Sequence, residues 1–179
     1  MNNNIGISET FEQIFNRIFD IRNCKDLSLK SINKESYLLM VLCTAENYML
    51  KRRQYEALMC TARSLAEKNF FVSELEENNN TAKIKRVYDL YTSTSYDVFC
   101  TFKMNSTTFI ISESGRWAVA ISSRKFALFI GDRCSCQIFA SFYSYKFDRD
   151  SFLKEWKNHK RAFNTDIEDI IEIHKKSLP

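Results

Sequence analysis

The sequence predicts an α+β protein in which helices precede an antiparallel sheet and further helices follow it. Apolar residues recur with a helical period in the N-terminal half, alternate with period two from Tyr96 onward, and return to a helical pattern near the C-terminus. Connections between the alternating segments are too short for the crossovers of a parallel sheet. We therefore expect one domain with a helical part (1–92), about four or five strands in an antiparallel meander (96–147) and two C-terminal helices (148–178).

Residues 9–22 have the pattern of an amphipathic helix. The spacing i, i+3, i+4, i+7, i+8 is occupied by large apolar residues, namely Phe11, Ile14, Phe15, Ile18 and Phe19. Ser8 or Thr10 is suited to cap the start of this helix. We expect its column of phenylalanines to pack against the rest of the fold.

Residues 34–70 contain neither Gly nor Pro and consist mainly of strong helix formers. The stretch can be threaded as one bent helix or as two helices. The polar segment "KRRQ" (51–54) interrupts the apolar stripe, and a single helix of this length is unusual in a compact domain. We favour two helices.

The next segment, 73–82, is acidic and rich in asparagine, and it lacks apolar periodicity. This composition predicts a surface loop. A short helix over 82–91 would then place Ile84, Val87, Tyr88 and Tyr91 on one side.

Alternating residues predict strands over 96–102 and in four later segments, "TTFIIS", "RWAVAIS", "KFALFIG" and "CQIFASFYSYKF". Short polar connections separate these segments, as expected for hairpins. In "RWAVAIS", Trp117 and Val119 share one face, whereas Ala118 and Ala120 share the other. The small alanines indicate that a helix lies close against their face.

Two helical patterns end the sequence. The first, 148–161, begins at a capping Asp148 or Asp150. The second, 164–176, begins with Thr165 and Glu168 at the spacing of a capping box. Lysines at its end suit the helix dipole.

The composition is that of a folded protein without a membrane-spanning segment. The 179 residues are 45% hydrophobic and include fifteen phenylalanines. The longest apolar run, Tyr37–Cys43, is too short to cross a bilayer, and the N-terminus lacks the basic and apolar regions of a signal peptide. We expect a cytoplasmic protein with no membrane partner.

Charge is distributed unevenly along the chain. Residues 1–80 have a net charge of −1 and residues 81–179 have a net charge of +5, which gives +4 in total. This mild bias fits a solvated basic face better than a nucleic-acid channel. Nucleic-acid binding or regulation through the basic C-terminal half is therefore kept as an alternative function.

The sequence lacks the motifs that several classes of binding site and enzyme require. The three glycines are isolated, so the sequence has no phosphate-binding loop and no dinucleotide fingerprint. Neither His159 nor His174 has a nucleophile at a recognisable spacing. Cys134 and Cys136 form a close pair that a strand would place on one face, but a zinc site needs further ligands. We expect no cofactor and no enzymatic activity.

Acidic residues at element junctions are the remaining candidates for chemistry. Asp132 ends a predicted strand, and Asp148 and Asp150 stand at the start of a predicted helix. Such carboxylates usually cap helices. They also bind divalent metals, which leaves a metal-dependent hydrolase or transferase as a third hypothesis.

The segment "GRWAVAISSRKFALFIG" (115–131) resembles a hairpin found in bacterial immunity proteins that neutralise polymorphic or contact-dependent growth-inhibition toxins. The resemblance implies a small cytoplasmic protein without catalytic activity that binds a toxin domain and occludes its active site. Inhibitors of nuclease toxins are usually acidic, whereas this chain is basic overall. A local acidic patch can compensate, or the toxin is not a nuclease. Our candidate partner-binding residues are Glu74, Glu76, Glu77, Asp132, Asp148 and Asp150.

Overall fold

A computed structural model describes residues 9–20, 32, 37–43, 49–78, 81–121 and 126–158. Within these ranges the protein is α+β, as the sequence predicts. The helices are α1 (Glu9–Ile18), α2 (Arg52–Ser64), α3 (Tyr96–Phe99), α4 (Arg133–Phe142) and α5 (Tyr145–Asn158). The strands are β1 (Leu38–Cys43), β2 (Asn69–Asn78), β3 (Thr81–Tyr91), β4 (Thr108–Ser112), β5 (Trp117–Ile121) and β6 (Phe126–Gly131).

The six strands form one sheet in the order β1-β6-β5-β4-β2-β3, and every neighbouring pair is antiparallel. The predicted meander is confirmed for β4, β5 and β6. Strand β1 pairs with β6 at one edge, where Leu38 lies opposite Gly131. Strand β3 forms the other edge. The sheet is larger than expected because β1, β2 and β3 come from the part of the sequence that we predicted to be helical.

Helix α1 covers one face of the sheet. Its Phe15 ring lies 5.1 Å from the ring of Phe109 in β4, in an edge-to-face arrangement. Ala118 and Ala120 belong to the same buried cluster. A helix therefore lies on the face that the alanines share, and it contacts the sheet through its phenylalanine side chains. The close approach of a helix to the alanines stays a prediction.

The opposite face is covered by α2, α3 and α4. The ring of Phe129 in β6 is stacked with Phe139 of α4 at a centroid distance of 4.4 Å and with Trp117 of β5 at 6.5 Å. Tyr55 of α2 stacks on Phe99 of α3 at 4.6 Å. All residues of β4, β5 and β6 are buried because the sheet is covered on both sides.

The prediction of two helices over 34–70 is wrong in its first half. Residues Leu38–Cys43 form β1, and only the second helix is found, as α2. Side chains of β1 alternate between the two cores, with Leu39 and Val41 on the α1 side and Met40 and Leu42 on the other side. A strand buried on both faces is a continuous apolar run, which periodicity does not distinguish from a buried helix.

The predicted loop over 73–82 and the predicted helix over 82–91 are also wrong, because their described residues, 73–78 and 81–91, belong to the paired strands β2 and β3. The register shifts between Glu74 and Leu75, so a bulge interrupts the regular alternation. This bulge, together with the polar residues on the exposed part of the hairpin, hides the strand pattern in the sequence.

Two predicted strands are helical instead. Residues 96–102 contain the short helix α3, whose first backbone amides are capped by the Ser95 side chain accepting a hydrogen bond from Val98. Residues 136–147 contain α4 and the start of α5. In α4 the buried Cys136 and Phe139 lie three residues apart and face the sheet, which is a helical spacing.

The first C-terminal helix is confirmed, but it begins at Tyr145, three residues before Asp148. Asp148 therefore lies inside the helix and does not cap it. The predicted helix over 164–176, His159, His174 and Ser8 lie outside the described residues. No helix within the described ranges has both the length and the apolar composition required to cross a membrane. The assignment of the whole chain to one domain stays a prediction.

Candidate functional site

The six predicted partner-binding residues lie on three elements. Glu74, Glu76 and Glu77 belong to β2, Asp132 precedes α4, and Asp148 and Asp150 belong to α5. Their burial separates them into two groups. Glu74 and Asp148 are buried, whereas Glu76 and Asp150 are exposed and Asp132 is half-buried. The side chain of Glu77 is not among those described.

Glu74 is a structural residue and not part of an exposed acidic patch. Its side chain is 3% exposed and accepts a hydrogen bond of 2.8 Å from the backbone amide of Asn105. It lies opposite Arg86 in the hairpin. The predicted patch of three glutamates is therefore wrong at this position, because the carboxylate is used to fix the loop that follows α3.

Asp132 caps helix α4, as junction aspartates usually do. One carboxylate oxygen accepts a hydrogen bond of 2.7 Å from the amide of Ser135, and the other accepts one of 2.8 Å from Arg116 Nε. Partial burial acts to raise the pKa of Asp132, but these hydrogen bonds outweigh it, so the pKa is lower than usual. Asp132 is charged and already paired within its own chain.

Asp148 forms the centre of a buried polar network at the start of α5. Its Oδ2 accepts hydrogen bonds from Tyr143 OH at 2.6 Å and from Gln54 Nε2 at 2.7 Å. The backbone amide of Cys43 donates a third, at 3.2 Å. The donors come from α2, β1 and the connection between α4 and α5, so this carboxylate fixes the first turn of α5 to three parts of the fold.

The donors of this network remain protonated. Burial and the hydrogen bond to Asp148 raise the pKa of Tyr143 far above its usual value, so the phenol donates throughout the neutral range. Gln54 is fully buried and also donates to the Cys43 carbonyl oxygen at 2.7 Å. Both side chains therefore keep the hydrogens that they donate at neutral pH.

Two phenylalanines are exposed beside this network, and we call them the aromatic corner: Phe142 and Phe147. Phe142 ends α4 and is 50% exposed, and Phe147 lies in the first turn of α5 and is 76% exposed. Phe147 directly precedes the buried Asp148. Asp150, which we predicted as a partner-binding residue, is exposed and lies almost one turn further along the helix.

The sequence prediction missed the aromatic corner because it assigned 136–147 to a strand. The sequence does indicate that Phe147 is exposed, but only once α5 is known to begin at Tyr145. Tyr145 and Asp148 are then neighbours on the inner side of the helix, and Phe147 falls on a different side. A large apolar residue outside the buried stripe of a helix, such as Phe147, is therefore the sequence feature that indicates an exposed aromatic side chain.

The structure offers no metal centre within the residues it describes, since no three His, Cys, Asp or Glu side chains are grouped there to hold an ion. Cys134 and Cys136 do not share a face, because they lie two residues apart on helix α4. Cys134 is exposed and Cys136 is buried. Burial raises the pKa of Cys136 to about 12, which keeps this thiol protonated. Cys100, which we expected inside a strand, is exposed as well.

No known family, curated protein or solved structure matches this chain. The functional argument therefore rests on the geometry of the site and on the physical chemistry of its residues.

Proposed function

We propose that this chain is a non-catalytic inhibitor that binds another protein, and that it acts in the cytoplasm as an immunity protein against a bacterial toxin domain. The observation that supports this proposal most directly is the exposure of Phe147, which leaves three quarters of a large apolar side chain in water. Exposed aromatic residues of this kind are frequent at protein interfaces.

Phe147 is suited to be an anchor of binding because its position is fixed before a partner arrives. The buried carboxylate of Asp148 holds the adjacent backbone through three hydrogen bonds. A side chain presented on a rigid helix loses little conformational freedom on binding. Burying one phenylalanine side chain contributes about 1.5–3 kcal/mol. Burying Phe142 and Phe147 against a partner therefore supplies a substantial part of the binding free energy.

The charges near the aromatic corner suit the rim of an interface. Lys146, Asp150 and Lys154 are exposed on α5, so both signs are present around Phe147. This mixture is unlike the acidic surface required to occupy a basic nucleic-acid cleft. With a net charge of +4, we favour a toxin whose active site does not bind nucleic acid.

The proposal predicts that the reading frame immediately upstream of the gene encodes a toxin-like protein, and it is tested with the product of that reading frame. The two proteins are co-expressed, and co-purification and protection of the cells are measured. We expect Phe147→Ala to weaken the complex at least tenfold, or about 1.4 kcal/mol. The control is Val98→Ala, a truncation of another exposed apolar side chain, on α3. It should leave binding unchanged.

Circular dichroism and thermal melts show whether both variants are folded. Absence of co-purification and of protection would overturn the proposed inhibitor function. Binding that is lost with Val98→Ala and retained with Phe147→Ala would instead place the interface away from the aromatic corner.

A cluster of cations on the edge strand favours nucleic-acid binding as the second candidate function. Lys83, Lys85 and Arg86 are all exposed on β3. However, Glu76 and Glu74 lie opposite Lys83 and Arg86 on β2, which reduces the local positive potential. Retention on heparin that persists to high salt and is lost in Lys83→Glu/Lys85→Glu would support this function. Elution at low salt would exclude it.

A further inference from the structure

Glu67, in the connection between α2 and β2, is a buried carboxylate outside the site described above. The residue is only 6% exposed. Its Oε2 accepts a hydrogen bond of 2.7 Å from Trp117 Nε1, and its Oε1 is hydrogen-bonded to the hydroxyl of Ser114. Both partners are neutral, so the carboxylate has hydrogen bonds but no directly bound cation among the described residues.

Ser114 belongs to the β4–β5 turn, residues 113–116, which joins several elements. Its carbonyl oxygen accepts a hydrogen bond of 2.6 Å from Arg17 of α1. The next carbonyl oxygen, that of Gly115, accepts one of 3.0 Å from Tyr37 OH. Glu113 accepts a hydrogen bond of 2.9 Å from the amide of Lys68, beside Glu67. The turn thus links α1 to the α2–β2 connection.

The charged groups around Glu67 do not neutralise it. They are Arg17 of α1, Arg63 of α2, Lys68 beside it, Asp89 of β3, Glu113 and Arg116 of the turn, and Asp132 before α4. The guanidinium of Arg116 is bound to Asp132, and Arg63 donates to the Thr92 carbonyl oxygen. Burial is the main cause that raises the pKa of Glu67, and Glu113 adds to the effect. The hydrogen bonds from Ser114 and Trp117 and the charge of Arg116 act to lower this pKa, but burial outweighs them.

We propose that Glu67 is a proton-dependent latch, which holds the α2–β2 connection to the β4–β5 turn most firmly when its carboxyl group is protonated. The protonated group donates to the Ser114 hydroxyl and still accepts from Trp117, so no hydrogen bond is given up. The ionised group keeps both partners but places a charge where water is excluded and no cation is bound. The hydrogen bonds from Ser114 and Trp117 favour the ionised form, but burial outweighs them, so ionisation lowers the stability of this connection to the turn that also holds Arg17.

The direction of the pH effect follows from linkage between protonation and folding. Below the ordinary pKa of 4.5 the carboxyl is protonated in both the folded and the unfolded chain, and the full stability is present. As the pH rises above this value, the unfolded chain releases its proton first, and the free energy of unfolding decreases. The decrease ends once the folded-state pKa has been passed.

The latch is tested by comparing the melting temperature of the full chain with that of Glu67→Gln across this pH range. Glutamine keeps the shape of the side chain and has no charge. We expect the difference between the two curves to be pH-dependent, with the wild type losing at least about 2 °C relative to Glu67→Gln between acidic and neutral pH. Glu76→Gln, a charge-removing change at an exposed glutamate of β2, is the control and should follow the wild type.

A second measurement observes the folded protein directly. The chain has two tryptophans, so Trp156→Phe leaves Trp117 as the only tryptophan, whose emission is excited selectively at the long-wavelength edge of the absorption band. Its indole is bound to Glu67, and we expect its emission to titrate with a midpoint above the ordinary glutamate range and to stop titrating in Glu67→Gln. A melting difference that is independent of pH would overturn the proposal. So would an emission that does not change with pH, even if Glu67→Gln fails to fold.

Discussion

The buried carboxylates of this protein depend on individual neighbouring residues for their hydrogen bonds. Glu67, Glu74 and Asp148 are each at most 6% exposed. Each is stabilised in a different way: Asp148 by three donors, Glu74 by a backbone amide, and Glu67 by an indole and a hydroxyl. Burying a charge is costly unless such partners are supplied, so the residues around these groups are as constrained as the acids themselves.

We expect Asp148→Ala to lower the free energy of unfolding by about 2–4 kcal/mol. The substitution removes the acceptor of the half-buried Tyr143 hydroxyl and one of the acceptors of the buried Gln54 amide group. Urea unfolding followed by circular dichroism measures the change. Asp150→Ala, an exposed change on the same helix, is the control and should stay within about 0.5 kcal/mol. Equal effects of the two would contradict the role of the network.

Gly115→Ala should also destabilise the protein, by about 1–2 kcal/mol. Gly115 has φ of +70°, and a Cβ atom there would lie 2.0 Å from Nη2 of Arg17. The arginine can move aside, but it would then lose its hydrogen bond to Ser114. Thermal melts of Gly115→Ala, Arg17→Ala and the double variant separate backbone strain from the lost hydrogen bond. Full additivity would show that the two residues are independent.

At the scale of secondary structure, the elements that could be predicted are those whose pattern is complete within a few residues. The phenylalanine column of α1 and the alternation in β4, β5 and β6 are of this kind. Strand β1 could not be predicted, because its covering layers on both faces come from distant parts of the chain. The β2–β3 hairpin was missed because Lys85 is an extra residue in β3 that breaks the alternation of that strand. Helix α4 was missed because its aromatic residues also fit an alternating pattern.

The candidate site, like the secondary structure, could be predicted only in part. The cluster of acids at the junction before α5 pointed to the right region, which contains Asp148 and Asp150. Their different roles depend on the helix beginning at Tyr145 and on the donors from α2 and β1. Those contacts are made by residues far away in the sequence, so no local pattern contains them.

Helix α4 allows the contribution of one capping residue to be measured. Asp132→Ala should cost about 1–2 kcal/mol, since both the cap to Ser135 and the bond to Arg116 are lost. Asp132→Asn keeps a capping oxygen and should cost less.

The pH dependence of the Asp132 contribution has the opposite sign to that of Glu67. Because the folded-state pKa of Asp132 is lowered, its contribution is fully present above the ordinary value of 3.8. It is lost as the pH falls through the folded-state pKa. The advantage of the wild type over Asp132→Asn in thermal melts should therefore disappear in acid. An advantage that grows on acidification would contradict this assignment.

For the molecule as a whole, the position of each strand in the sheet predicts its resistance to local opening. Strand β5 has a neighbour on each side and a packed layer on each face. Strand β3 is an edge strand and carries several exposed side chains. Hydrogen exchange followed by mass spectrometry should show the slowest exchange for peptides from Trp117–Ile121 and the fastest strand exchange for Thr81–Tyr91. Equal protection of the two would contradict this ranking.

The pairing of Leu38 with Gly131 has a consequence for how the protein is made. A ribosome releases the apolar strand β1 long before it has synthesised β6, the strand that pairs with it. Until then the nascent polypeptide carries an unpaired, aggregation-prone segment. Premature termination before β6 would leave that segment permanently without its neighbour, and we expect such fragments to require chaperones or to be degraded.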